Sequence, residues 1–108
     1  EAFLRSHVYL SASSIENSPN SLAEAMVLGL PTVASYVGGV PSMTDESTTH
    51  FFAAGDYRML ASSVCEVFNS SSENVQRAQR ARERGLATHD PQTNANRLSH
   101  IYREVLNV

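Results

Sequence analysis

The chain has 108 residues, a formal net charge of −3 and 42% hydrophobic residues, which suits one small domain. The acidic balance and the lack of any lysine speak against a nucleic-acid partner, and a single cysteine, Cys65, excludes a disulfide within the chain and fits a reducing compartment. No apolar run approaches the roughly 18 residues of a membrane span and no leader pattern is visible, so a soluble domain is expected.

The opening EAFLRS reads as the end of a helix begun upstream, so the chain is expected to be a piece of a longer protein. Residues 7–11 form a short apolar strand with His7 at its edge as a surface or packing residue, and Ser13 and Ser14 follow, suited first to capping local backbone and otherwise to meeting a ligand. Residues 17–21, NSPNS, are a cluster of turn formers and helix starters. From Ser21 the pattern is helical: Leu22, Ala25, Met26 and Gly29 recur at helical spacing, and Gly29 with Pro31 is a stop signal. Residues 31–35 give a buried strand, and a strand, helix, strand unit of this length implies a parallel right-handed crossover.

In an open α/β sheet the loop leaving a strand's carboxyl end, and the helix start it feeds, are where anions sit. Glu16 and Glu24 bracket that corner with seven residues between them. Helix-start amides favour a phosphate, and a carboxylate one turn in can accept hydrogen bonds from ribose hydroxyls. On spacing alone Ser21 to Glu24 reads first as a capping box, and Glu16 on its own is no better than an exposed loop acid.

Residues 36–41, YVGGVP, form a turn in which Gly38 and Gly39 allow positive φ or close approach, without the G-x-G-x-x-G spacing of a dinucleotide site. A short strand is expected in residues 48–53, and Asp56 caps the next helix, whose buried face is Leu60, Val64, Val67 and Phe68. Met59 reads as a gap filler, and Cys65 as core or flank, having no basic partner nearby. Residues 69–74 are a serine-rich linker, in which Asn69-Ser70-Ser71 matches a glycosylation acceptor that has meaning only on secretion. The arginine-rich helix from Glu73 to about Leu86 has Val75, Ala78 and Ala81 as its packing face and a Glu73 to Arg77 pair, so its arginines read as a solvated face. Asp90-Pro91 opens the last helix, whose apolar stripe of Leu98, Ile101, Tyr102, Val105 and Leu106 reads most simply as core packing. His7, His50, His89 and His100 are scattered and Asp45-Glu46 is one acidic pair, so no metal site is expected, and no hydrolase-type nucleophile elbow is present.

The stretch SHVYLSASSIENSPNSLAEAMVLGLPTVASYVGGVPSM closely resembles the donor-binding segment of the group 1 retaining glycosyltransferases, also called family 4, of GT-B architecture. The paired glutamates, the Gly-Leu-Pro stop and the double glycine arrive together and in order. The resemblance implies an α/β fold with a Rossmann-like, doubly wound parallel sheet. Residues 1–108 would form the second half of a C-terminal nucleotide-sugar-binding domain, with closing helices at about 73–88 and 91–107. It places Glu16 near the donor sugar as the catalytic residue, Glu24 on the ribose, and Pro19, Asn20 and Ser21 beside the diphosphate. It implies no metal and no cofactor beyond the donor, which is a nucleotide-diphosphate sugar such as a UDP-sugar.

The acceptor, a carbohydrate or a lipid-linked molecule as in polysaccharide biosynthesis, would be held by an N-terminal domain absent from this chain. A basic pair from the preceding half of the domain would contact the phosphates, since no Arg or Lys lies between Arg5 and Arg58. The isolated piece is therefore expected to bind donor weakly and not to catalyse transfer. The implied location is cytoplasmic, with room for a peripheral membrane contact of the full-length protein. Two departures from the family pattern, Ser42 where an acid is common and Thr49-His50 where a glycine is usual, imply a local loop shape that differs from the family's. They leave open a non-catalytic nucleotide or phosphosugar binding module, or a plain interaction domain.

Overall fold

Three parallel strands in the order β1-β2-β3 form the sheet among the described residues, which are 1–17, 19–69 and 72–107 of a computed structural model. Strand β1 is Tyr9–Ser11, β2 is Thr32–Ser35 and β3 is His50–Phe52. Tyr9 pairs with Thr32 and Ser11 with Ala34, and Val33 pairs with His50 and Ser35 with Phe52. The helices are α1 (Asn20–Val27), the short α2 (Val40–Met43), α3 (Tyr57–Phe68), α4 (Ser72–Thr88) and α5 (Pro91–Leu106). Ser18, and Ser70 and Ser71 of the serine-rich linker and glycosylation match, lie outside the described residues.

Alternation along the strands separates two cores, one on each face of the sheet. On one face Ala34, Tyr9 and Phe51 pack with Leu22 and Met26 of α1, Val40 of α2 and Ala81 of α4. On the other, Val33 and Phe52 pack with Val67, Leu60 and Val64 of α3. A parallel sheet must be covered on both sides because its crossovers put helices there, and the fully buried β2 meets that requirement.

Local chemistry sets the helix ends as expected in three places. After α1, the Gly29 amide bonds the Met26 carbonyl at 3.0 Å and the Leu30 amide bonds the Ala25 carbonyl at 3.0 Å, with Gly29 at φ +73°. This is the paired C-terminal arrangement that glycine permits. Asp56 accepts the Met59 amide at 2.9 Å, and Asp90 accepts the Thr93 amide at 2.9 Å with Pro91 in the first turn. The chain's opening is a single 3₁₀ turn, Phe3–Arg5. Two packing expectations are corrected: Phe68 is 59% exposed at the end of α3 beside His7, and Val75 is exposed on α4.

His50 is a further correction, because it is more than one of four scattered histidines. It is buried at the joint of β3, α3 and α4. Asn74 Oδ1 lies 3.1 Å from Nε2, while the Asn74 amide donates to the Glu66 carbonyl at 2.6 Å, which fixes the oxygen toward the ring. Arg77 Nη1 stands 2.8 Å from Nδ1 and 2.9 Å from Nε2. A guanidinium only donates, so its charge against the ring opposes protonation of His50. Arg77 therefore serves His50, and Glu73 reaches Arg80 at 2.8 Å instead.

Burial, and then the Arg77 charge, push the His50 pKa below 6.5, while Asn74 and the Glu66 carboxylate 3.3 Å from Nδ1 only partly oppose the shift. Because the unfolded chain takes up this proton first, stability present above about pH 6.5 is lost as pH falls through the lowered folded value. The melting temperature should fall as pH drops from 7.5 to 5.5, and His50→Gln, which stays neutral, should flatten that part of the profile. An equally steep fall in the variant would refute the assignment.

Candidate functional site

Glu16 stands beyond the carboxyl end of β1, on a loop tied to β2. The buried Ser35, last residue of β2, donates its hydroxyl to the Ser13 carbonyl at 2.6 Å. Ser13 Oγ in turn donates to Glu16 Oε1 at 3.1 Å. The Glu16 carbonyl accepts the Gly39 amide at 3.0 Å, and Gly38, at φ +54°, lies so close that an added Cβ would stand 1.5 Å from the Glu16 oxygen. The double glycine thus lies flat against the Glu16 backbone. Spacing alone suggested close approach there, but not its target.

The start of α1 supplies the second part of the corner. Pro19 is buried at the N-cap position, and it offers no side-chain cap to the first turn. Among the described residues, no side chain caps the first-turn amides, an arrangement that an anion can occupy. Asn20 and Ser21 are exposed in that turn, and Ser21 Oγ lies 2.7 Å from the Tyr9 hydroxyl. Tyr9 is held edge-on to Phe3 with ring centroids 5.9 Å apart. These long-range contacts escaped the reading of local spacing.

The capping box between Ser21 and Glu24 does not form. The helix begins at Asn20, so Ser21 is already a helical residue, and its hydroxyl is directed to Tyr9. Glu24 remains exposed on the outer face of α1. It borders two shallow grooves, one of about 330 Å³ with Ala23, Val27, Leu28 and His89, the other of about 270 Å³ with Ala2, Phe3 and Leu28. A carboxylate so placed is available to an external hydroxyl donor.

At the other end of the helix, Arg82 donates to the Val27 carbonyl at 3.3 Å, placing a cation against the negative C-terminal end of α1. A larger groove, about 480 Å³, lies elsewhere, lined by His7, Pro31, Phe68, Val75 and Arg82 near the amino ends of the strands. It is mostly apolar and holds none of the residues at this corner. Among the described residues, no three His, Cys, Asp or Glu side chains gather as a metal site, and no helix is long and apolar enough to cross a membrane.

The departures from the family pattern have structural explanations here. Thr49 Oγ1 lies 2.8 Å from Thr32 Oγ1 and 2.7 Å from Thr44 Oγ1, in a buried hydroxyl cluster that Thr48 completes through its contact with Thr44. Ser42 is exposed on α2, its amide bonded to the Gly39 carbonyl at 3.1 Å. Neither residue is aimed at Glu16 by any described hydrogen bond. The arginines of α4 are likewise engaged locally: Arg84 pairs with Asp45 at 2.6 Å, and Arg80 bonds the Ser47 carbonyl at 2.8 Å.

Comparison with solved structures gives the same architecture. The sucrose-phosphate synthase of Thermosynechococcus elongatus matches with a TM-score of 0.85 over 98% of this chain, at 23% identity. The match covers 27% of that protein, so the chain spans about a quarter of its length, and the likeness carries the GT-B fold. No curated protein sequence matches the chain. The family model described as glycosyl transferases group 1 matches residues 1–70, more than half of the sequence, including both glutamates and the double glycine. The chain belongs to the group 1 glycosyl transferases.

Proposed function

We propose that this chain is the second half of a C-terminal donor-binding domain, and that its parent protein moves a sugar from a nucleotide-diphosphate sugar to an acceptor with retention of configuration. The observation that carries this reading is the corner itself: a helix start without a side-chain cap among the described residues, beside the half-buried loop residue Glu16, whose backbone is clamped by Gly38 and Gly39. Cleaving the anomeric carbon to phosphate bond develops positive charge on the sugar and negative charge on the diphosphate, so the site must stabilise both ends. The first-turn amides around Pro19, Asn20 and Ser21 favour the diphosphate, Glu24 accepts from the ribose hydroxyls, and Glu16 faces the sugar. The acceptor, a carbohydrate or lipid-linked molecule, is held by the parent's other domain.

The test is nucleoside diphosphate release by the full-length parent across a panel of nucleotide sugars and acceptors. Glu24→Ala should raise the donor KM about tenfold, the effect of losing a hydrogen bond to a charged group, with a smaller change in kcat. A donor KM equal to wild type would remove Glu24 from the ribose. If nothing is released, but a nucleotide raises the melting temperature of wild type and not of Glu24→Ala, a non-catalytic binding module becomes the better reading.

A further inference from the structure

We propose that Ser13 is a positioning residue for Glu16, setting the orientation of its carboxylate toward the donor sugar. The proposal rests on the assignment of Glu16 to that sugar. A carboxylate stabilises developing charge well only if it is oriented before the charge appears, because reorganisation during the reaction adds to the barrier. A glutamate on a loop has three freely rotating side-chain bonds, so something must hold it.

The structure fixes Glu16 at both ends. Its backbone is held by the Gly39 amide at 3.0 Å and by the close approach of Gly38. Its side chain is held by Ser13 Oγ at 3.1 Å, which occupies Oε1 and leaves Oε2 without a partner among the described residues. Ser13 is itself anchored, because its carbonyl accepts the hydroxyl of Ser35 at 2.6 Å and Ser35 is buried in β2. A continuous line of hydrogen bonds therefore runs from the sheet through Ser35 and Ser13 to the carboxylate. The loop clamp also leads back to β2, through the residues that follow it. The Glu16 carboxylate is thus referenced to one rigid strand by two routes, although it sits on a loop.

The experiment is a double-mutant cycle in the full-length parent, read by nucleoside diphosphate release with the preferred donor of the panel, with Ser13→Ala, Glu16→Ala and the pair. Ser13→Ala should lower kcat about tenfold, with the donor KM within about twofold of wild type and an unchanged melting temperature. In the Glu16→Ala background it should cost nothing further, since a residue acting through Glu16 has nothing left to position. Should Ser13→Ala fail to fold, Ser35→Ala carries the same cycle one step further from the carboxylate. An unchanged kcat, or a loss that adds fully to that of Glu16→Ala, overturns the positioning role and leaves the donor-site reading standing. Full turnover by Glu16→Ala, or no release by the unsubstituted protein, removes the reading of Glu16 and the positioning role with it.

Discussion

Gly38→Ala is expected to abolish detectable donor turnover and to destabilise the fold by about 3 kcal/mol or more, as buried steric conflicts do. Two costs combine at this position. Its φ of +54° is in the left-handed region, which costs a residue with a side chain about 1–2 kcal/mol. The added Cβ would also stand 1.5 Å from the Glu16 oxygen and 2.6 Å from its carbonyl carbon, both backbone atoms that no rotamer change can move. Relief requires lifting the double-glycine loop away from Glu16, which breaks the Gly39 to Glu16 bond and frees the proposed catalytic residue. Gly55→Ala is the matched control: φ is +85° there, but nothing lies within 4 Å of an added Cβ. It should show the backbone cost alone. Unfolding in denaturant, run on both variants, separates the two costs, and equal losses would mean that contact with Glu16 contributes nothing.

The same loop shows what the sequence could and could not disclose. Features decided within a few residues were legible: the Gly29 stop, the Asp56 and Asp90 caps and the buried β2 all follow from local backbone chemistry. Side-chain partners chosen by the tertiary structure were not. Ser21 and Glu24 have the spacing of a capping box, but Tyr9, twelve residues earlier in the chain, is the partner Ser21 takes. Glu73 and Arg77 have the spacing of an ion pair, but His50 arrives from a strand 27 residues away and engages Arg77. The short α2 was read only as a turn, since four residues give no periodicity to detect. On α5 the stripe was legible, but core packing, its simplest reading, is corrected: Leu98, Ile101, Tyr102, Val105 and Leu106 are all 44 to 73% exposed, as the resemblance allowed for the isolated piece, and no residue of that helix is buried among those described. At the candidate site, the residue types and order were visible in the sequence, and the hydrogen bonds that orient Glu16 became visible only in three dimensions.

Glu16→Ala should lower turnover of the full-length parent by about 100-fold or more, with little change in donor KM, as removal of a group that acts mainly in the transition state does. In the proposed site the ground-state donor is held by its diphosphate at the start of α1 and by its ribose at Glu24, so removing Glu16 leaves most of the binding in place. Charge develops on the sugar only as the bond to phosphate breaks, and a carboxylate partly withdrawn from water acts on it more strongly than an exposed one. Glu16→Gln separates the two roles open to this residue. Glutamine keeps the shape and can still accept from Ser13, but it carries no charge. If Glu16 stabilises the cationic face of the sugar, the glutamine variant should be nearly as slow as alanine. If it only orients the sugar through hydrogen bonds, glutamine should recover most of the rate. Because Ser13 and the Gly39 amide hold the residue in either case, a difference between the two variants reports on charge, and steady-state kinetics with one donor are enough to measure it.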